Sequence, residues 1–302
     1  MKYRIVHRTR YAYAEPVLLC HNEARLQPRT TACQRCEFSE VAIEPFAAQR
    51  AQREDIFGNR VLYFAGQNPH EELVVTATSI VDVFTASTAL APRPTLSWEE
   101  SVARIRVDRD EAARDARQFA LDSPFAAVSS EVAEWAQPWF APGRPLLDAV
   151  AAMSQHIHDD FTFDASSTTV ATPPSEVLAQ RGGVCQDFAH LAIACLRSKG
   201  IPTRYVSGYL ETIPPPGQPR VRGADVSHAW FAVFVPDLGW VDFDPTTNLT
   251  PPERHVTTAW GRDYGDVTPL KGVIFGGGAH VPEVAVDMVR LNVEAQSAQA
   301  YE

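Results

Sequence analysis

Gly182-Gly183-Val184-Cys185-Gln186-Asp187-Phe188-Ala189-His190-Leu191 sets a cysteine directly after two glycines and at the front of an apolar, helix-spaced run. Helix-start N–H groups have no intrahelical partner, and the helix dipole is positive there. A thiol so placed ionises more readily than a free one, and its own N–H can stabilise an oxyanion. The two glycines permit a tight turn with unusual φ before the helix. Taken alone, Cys185 reads equally well as a small buried hydrophobe. Cys195, in Leu191-Ala192-Ile193-Ala194-Cys195-Leu196, is the contrast: it sits in the middle of an apolar helix face and reads as core.

Two further groups follow in order. His228 lies in Ser227-His228-Ala229-Trp230, at the head of an amphipathic strand, and Asp244 lies in Asp242-Phe243-Asp244-Pro245-Thr246. The turn Pro236-Asp237-Leu238-Gly239 makes their strands antiparallel neighbours. His228 and Asp244 then share the end of the hairpin away from the turn. A carboxylate there can hold an imidazole in one tautomer. Asp242 has the same parity as Asp244, so parity alone leaves both open. Asp244 is preferred as the nearer to His228 in the hairpin. Each residue by itself reads as structural; a thiol, an imidazole and a carboxylate in this arrangement read as nucleophilic acyl-transfer chemistry.

The remaining cysteines and histidines read more plainly. Cys33-Gln34-Arg35-Cys36 is a lone CxxC with His21 as the nearest third ligand, so two strand cysteines are expected and no metal site. His156 and His158 fall on different faces of a helix, which is poor for chelation. His190 lies about 140° around the helix from Cys185 and reads as a surface or structural residue.

The chain has 302 residues, 45% of them hydrophobic and 21% charged, which suits two domains. The formal charge of −10 argues against nucleic-acid and anionic-membrane partners, since no basic surplus exists to neutralise phosphates. No apolar run of membrane or signal-peptide length is visible. The five cysteines do not suggest a disulfide framework, and a reducing, cytoplasmic location is expected.

Residues 1 to about 85 carry short, alternating, β-branched runs: Tyr3 to Tyr13, Val41-Ala42-Ile43, Arg60 to Phe64 and Leu73 to Val83. A sandwich or barrel-like β-domain is expected over 1–95, with a linker at 86–96. Helical spacing then appears at Glu131–Ala136, Leu146–Ile157, Ser175–Gln180 and Cys185–Lys199, the last ended by Gly200 and Pro202. Strands are expected at Arg204–Leu210, His228–Val235 and Trp240–Asp244, and again over Val281–Val293. The core is therefore assigned to 96–265 and C-terminal strands to 266–302. The loop from Glu211 to Arg222, with Arg220 and Arg222, is expected to border the site.

Gly183-Val184-Cys185-Gln186-Asp187-Phe188-Ala189-His190-Leu191, Gly200-Ile201-Pro202-Thr203-Arg204-Tyr205-Val206-Ser207-Gly208-Tyr209, Ser227-His228-Ala229-Trp230 and Gly239-Trp240-Val241-Asp242-Phe243-Asp244-Pro245-Thr246 together resemble the core of the transglutaminase-like superfamily. The match is to its bacterial branch, assigned to cysteine proteases. Tyr11-Ala12-Tyr13, Leu26-Gln27-Pro28-Arg29 and Phe57-Gly58-Asn59 resemble that branch's β-rich N-terminal domain. Gly261 to Val267 and Gly276-Gly277-Gly278 also fit it.

The resemblance implies an α+β, papain-related core. It further implies Cys185 as nucleophile, His228 as general base and acid, and Asp244 as the orienting carboxylate. A peptide or carboxamide substrate and a thioester intermediate follow, with hydrolysis preferred over transfer to an amine. A non-catalytic binding module of the same fold is the other reading. Eukaryotic relatives use calcium and a tryptophan before the nucleophile. Here no calcium-ligand cluster is apparent, and Phe161, Thr162 and Phe163 precede Cys185 without a matching tryptophan, so no cofactor is expected.

Overall fold

The computed structural model describes residues 1–45, 47–84, 96–213, 226–252 and 254–291. Residues 86–95 of the expected linker lie outside them, as do Arg220 and Arg222.

The N-terminal strands are β1 (Lys2–Ala24), β2 (Gln34–Glu44), β3 (Gln49–Glu54), β4 (Arg60–Gly66) and β5 (His70–Val83). On β1, Tyr3, Ile5, His7 and Thr9 are buried while Arg4 and Arg8 are exposed, the period-2 pattern of a one-sided strand. β1 runs well past the expected end at Tyr13. It pairs with β5 as far as Ala12, slips register before Val17, and then pairs with β4. Pro16, which has no N–H to give a ladder, falls within that slip.

The core begins with α1 (Trp98–Val107), α2 (Glu111–Ala116), α3 (Ser130–Trp135) and α4 (Leu146–Asp160). The short strand β6 (Thr162–Phe163), α5 (Pro174–Gln180), β7 (Gly182–Gly183) and α6 (Cys185–Ser198) follow. Next come β8 (Thr203–Leu210), β9 (Val226–Val235), β10 (Gly239–Phe243), β11 (His255–Gly261) and α7 (Tyr264–Val267). The last strands are β12 (Leu270–Gly276) and β13 (His280–Arg290). β13 pairs with Tyr3–Tyr13 and β12 with Val17–Ala24, so the chain's end returns to its beginning.

The core sheet is antiparallel, in the order β10-β9-β8-β11. Ala229, Phe231, Val233 and Val235 of β9 bury against Leu191, Ala192 and Cys195 of α6 and against Met153 and Ile157 of α4. α6 stops as its sequence dictates. Gly200 takes φ +74, its N–H reaches Arg197 O at 2.8 Å, and Ile201 N–H returns to Leu196 O at 3.1 Å. The architecture is α+β: a β-rich N-terminal region beside a helix-and-sheet core. Among the described residues no helix is long and apolar enough to cross a membrane.

β11 is the edge strand of the core sheet, and two amides of the N-terminal region cover its backbone. Gln34 Nε2 donates to Thr257 O at 2.7 Å and Gln34 Oε1 accepts Thr257 N–H at 2.8 Å. Asn59, fully buried, donates to Trp260 O at 2.8 Å and accepts Trp260 N–H at 3.0 Å. Each side chain thus does what a neighbouring strand would do, and the edge is closed. The Arg29 guanidinium lies 3.6 Å over the Trp260 ring, and Arg204 lies 3.8 Å from the same ring.

Candidate active site

Arg181 ends α5 in the left-handed region at φ +50, and β7 then pairs in parallel with β6. Neither Gly182 nor Gly183 has positive φ, so the expectation of an unusual turn conformation is corrected. The glycines serve close approach instead. A Cβ on Gly183 would stand 2.8 Å from Asp187 Oδ2 and 2.9 Å from Asp187 Cβ. Asp187, buried, folds back and accepts the Val184 N–H at 2.8 Å and the Thr168 hydroxyl at 2.6 Å. This closes the first turn of α6 and leaves Cys185 half-buried at its front.

The hairpin brings the imidazole and the carboxylate together. His228 Nε2 lies 2.8 Å from Asp244 Oδ2, and both side chains are buried. An ionised carboxylate only accepts, so Nε2 carries a proton. Nδ1 is then the nitrogen left to face Cys185, whose proximity raises the His228 pKa. The β9–β10 ladder ends at the Phe231–Phe243 pair, and Asp244 follows it. There the chain turns back on the carboxylate. Thr246 and Thr247 donate N–H groups to Oδ1 at 2.9 and 3.3 Å, and the Thr247 hydroxyl donates to Oδ2. From α4, His158 Nδ1 meets Thr246 O at 2.9 Å and fastens this turn.

The electrostatics follow from these contacts. Burial alone would strip His228 of its proton. Hydrogen bonds to Asp244 and Cys185, with their charges, outweigh it and push His228 up to about 10. Burial likewise opposes charge on Asp244, but hydrogen bonds from His228 and His255 hold it far below the usual carboxylate range. An imidazolium at neutral pH beside a half-buried sulfur is the partner that a thiolate nucleophile requires.

Asp242 makes a different set of contacts. Its Oδ1 accepts the Trp230 indole N–H at 3.4 Å, and burial raises its pKa while the nearby Arg204 charge lowers it. Sequence reasoning missed His255. This buried residue opens β11, and its Nε2 lies 3.0 Å from the same Asp244 Oδ2 that His228 meets. His228, Asp244 and His255 each offer a ligand atom, all within 4.8 Å of one another. They could hold a metal ion only by giving up both imidazole protons that Asp244 now accepts.

The other singled-out residues lie elsewhere. Cys195 is buried, and burial pushes its thiol well up. His190 is not on the surface. It is buried between Phe125 and Tyr205, accepts the Tyr264 N–H at 3.2 Å, and is pushed down to about 3 by burial and then by Arg197. Neither Cys33 nor Cys36 is in a disulfide, and the His21 ring meets the Tyr63 hydroxyl at 2.6 Å. His156 leans on Trp135 and Trp139, away from His158 and its loop contact.

Residues 3–82 match the bacterial transglutaminase-like N-terminal region, and residues 133–245 match the transglutaminase-like superfamily. An uncharacterized protein of Mycobacterium tuberculosis is 39% identical over 97% of this chain and 94% of its own length. One from Mycobacterium leprae is 35% identical over 95% and 98%. A protein-glutamine gamma-glutamyltransferase of Pseudomonas aeruginosa is 32% identical over 51% of this chain and 23% of its own. Among solved structures, "a Putative Cysteine Protease from Cytophaga hutchinsonii" shares the fold, with a TM-score of 0.74 and 22% identity over 97% of this chain and 91% of that one. The chain belongs to the transglutaminase-like superfamily and carries that superfamily's bacterial N-terminal region.

Proposed function

We propose that this protein is a thiol-dependent acyl-transfer enzyme acting on peptide or carboxamide bonds. The observation that carries this reading is His228 Nε2 at 2.8 Å from Asp244 Oδ2, with Cys185 at the front of α6 close enough to raise the His228 pKa. The sulfur attacks the carbonyl carbon as thiolate, and the Cys185 N–H at the start of α6 faces the developing oxyanion. His228 gives its Nδ1 proton to the leaving amine, and a thioester remains on Cys185. Water then attacks the thioester, His228 takes that water's proton, and the acid leaves as the sulfur is released. The product is that of a cysteine protease or amidase. A cytoplasmic, reducing location completes the proposal and fits five cysteines that form no disulfide.

The Pseudomonas aeruginosa relative supports a second reading, in which an amine rather than water resolves the thioester. One experiment tests both. Peptide and carboxamide libraries are incubated with and without a primary amine, with Cys185→Ala as control. Release of free acid supports hydrolysis, and amine incorporation supports transfer. If Cys185→Ala matches the unaltered enzyme on every substrate, the acyl-transfer reading fails.

A further inference from the structure

Asp244 Oδ2 receives three donors: His228 Nε2 at 2.8 Å, His255 Nε2 at 3.0 Å and the Thr247 hydroxyl. Oδ1 receives the two N–H groups of Thr246 and Thr247. Five donors meet a carboxylate with about four lone-pair sites. An aspartate's terminal torsion is broad, so an unrestrained carboxylate would turn about Cβ–Cγ and lose its line to His228. The Thr246 and Thr247 contacts come from the same short turn as Asp244. Besides His228 itself, His255 is, among the described residues, the one that brings a donor from another strand.

We infer that His255 is a positioning residue for the candidate triad: its Nε2–H pins Asp244 Oδ2 in the line of the His228 ring. The inference rests on the function proposed above. His255 is itself held on three sides. Its N–H bonds to Pro252 O at 3.2 Å, its ring meets Trp230 at 5.0 Å and 73°, and β11 fixes its register opposite Leu210. β11 is the strand that Gln34 and Asn59 clamp through Thr257 and Trp260. A continuous run of contacts therefore joins the N-terminal region to His255, and His255 to Asp244. This assigns the β-rich region a task in the chemistry: it holds the strand that holds the carboxylate.

The test is the second-order rate of Cys185 alkylation by iodoacetamide across pH, read on the full chain by peptide mass mapping. His255→Leu removes the donor and is expected to slow alkylation at neutral pH by about ten- to a hundredfold, the worth of one hydrogen bond to a charged group. His255→Gln keeps an N–H donor and is expected to stay within about threefold of the unaltered protein. An unchanged rate in His255→Leu overturns the inference, and so does a loss in His255→Gln equal to that in His255→Leu. His228→Ala separates the two levels. If it too leaves the rate unchanged, the triad reading falls. If it slows the rate while His255→Leu does not, only the role of His255 falls. Should His255→Leu not fold, nitrogen-15 imidazole spectra of the unaltered protein decide the matter. A proton on Nε2 of both His228 and His255 is expected, and an unprotonated His255 Nε2 overturns the inference.

Discussion

Gly183 packs so closely on Asp187 that a single methyl group at Gly183 would stand 2.8 Å from the Asp187 carboxylate. The contact couples the two residues on either side of the Val184-Cys185 step. With Asp187 folded back, the Val184 N–H is satisfied and Cys185 is left at the front of α6.

Gly183→Ala is accordingly expected to displace Asp187 and open the first turn of α6. The cost is about 1–3 kcal/mol, as for other overpacked sites. Urea unfolding measures the loss, and iodoacetamide kinetics measure the accompanying fall in Cys185 reactivity. Full reactivity in a folded Gly183→Ala would show that the loop does not need this approach.

The two carboxylates at the hairpin end are expected to separate cleanly. Asp244→Asn removes an acceptor of both imidazole N–H groups and is expected to lower turnover about a thousandfold or more, as wrong-tautomer variants do. Asp242→Asn keeps an acceptor for the Trp230 indole and is expected to change turnover by less than about threefold. Equal losses in the two variants would contradict the assignment of Asp244.

Stability should depend on pH at both limbs, with opposite signs. Asp244 is held below its ordinary 3.8, so its contribution is present above about 4 and lost as pH falls further. His228 is raised from 6.5 to about 10, so its contribution is full below 6.5 and drains away as pH climbs through 10. Thermal melts from pH 6 to 10.5 should show that alkaline decline, and His228→Ala should lack it. A decline of the same size in His228→Ala would place its source elsewhere.

The Asn59 side chain makes four hydrogen bonds among the described residues, to Asp55, Arg29 and the Trp260 backbone. Asn59→Ala leaves a strand's N–H and C=O unpaired at a buried contact, and a loss of about 2–4 kcal/mol is expected. Chemical denaturation is the measurement. A loss under about 0.5 kcal/mol would mean that solvent replaces the amide without penalty.

Local pattern carried much of this molecule. The buried and exposed alternation of Tyr3 to Arg10, the stop of α6 at Gly200 and the Pro236–Gly239 turn were all legible, because each depends on neighbours within a few residues. Helix α1 escaped notice, although Ser97 and Glu100 form a reciprocal capping box that spacing could have revealed. The return of β12 and β13 to β1 could not be read, since strand pairing between the chain's two ends leaves no local mark.

The candidate site divides along the same line. By itself the sequence determined the chemical kinds: a thiol at a helix front, and an imidazole and a carboxylate at one end of a hairpin. Sequence parity left Asp242 and Asp244 open and hairpin position favoured Asp244; the tertiary structure adds the contacts, with Asp244 on His228 and wrapped by the Thr246–Thr247 turn and Asp242 on the Trp230 indole. It also decided that His255 belongs with them. Nothing local to His255 points at Asp244; the long connection across the sheet edge, and the clamp from Gln34 and Asn59, bring the two within 3.0 Å.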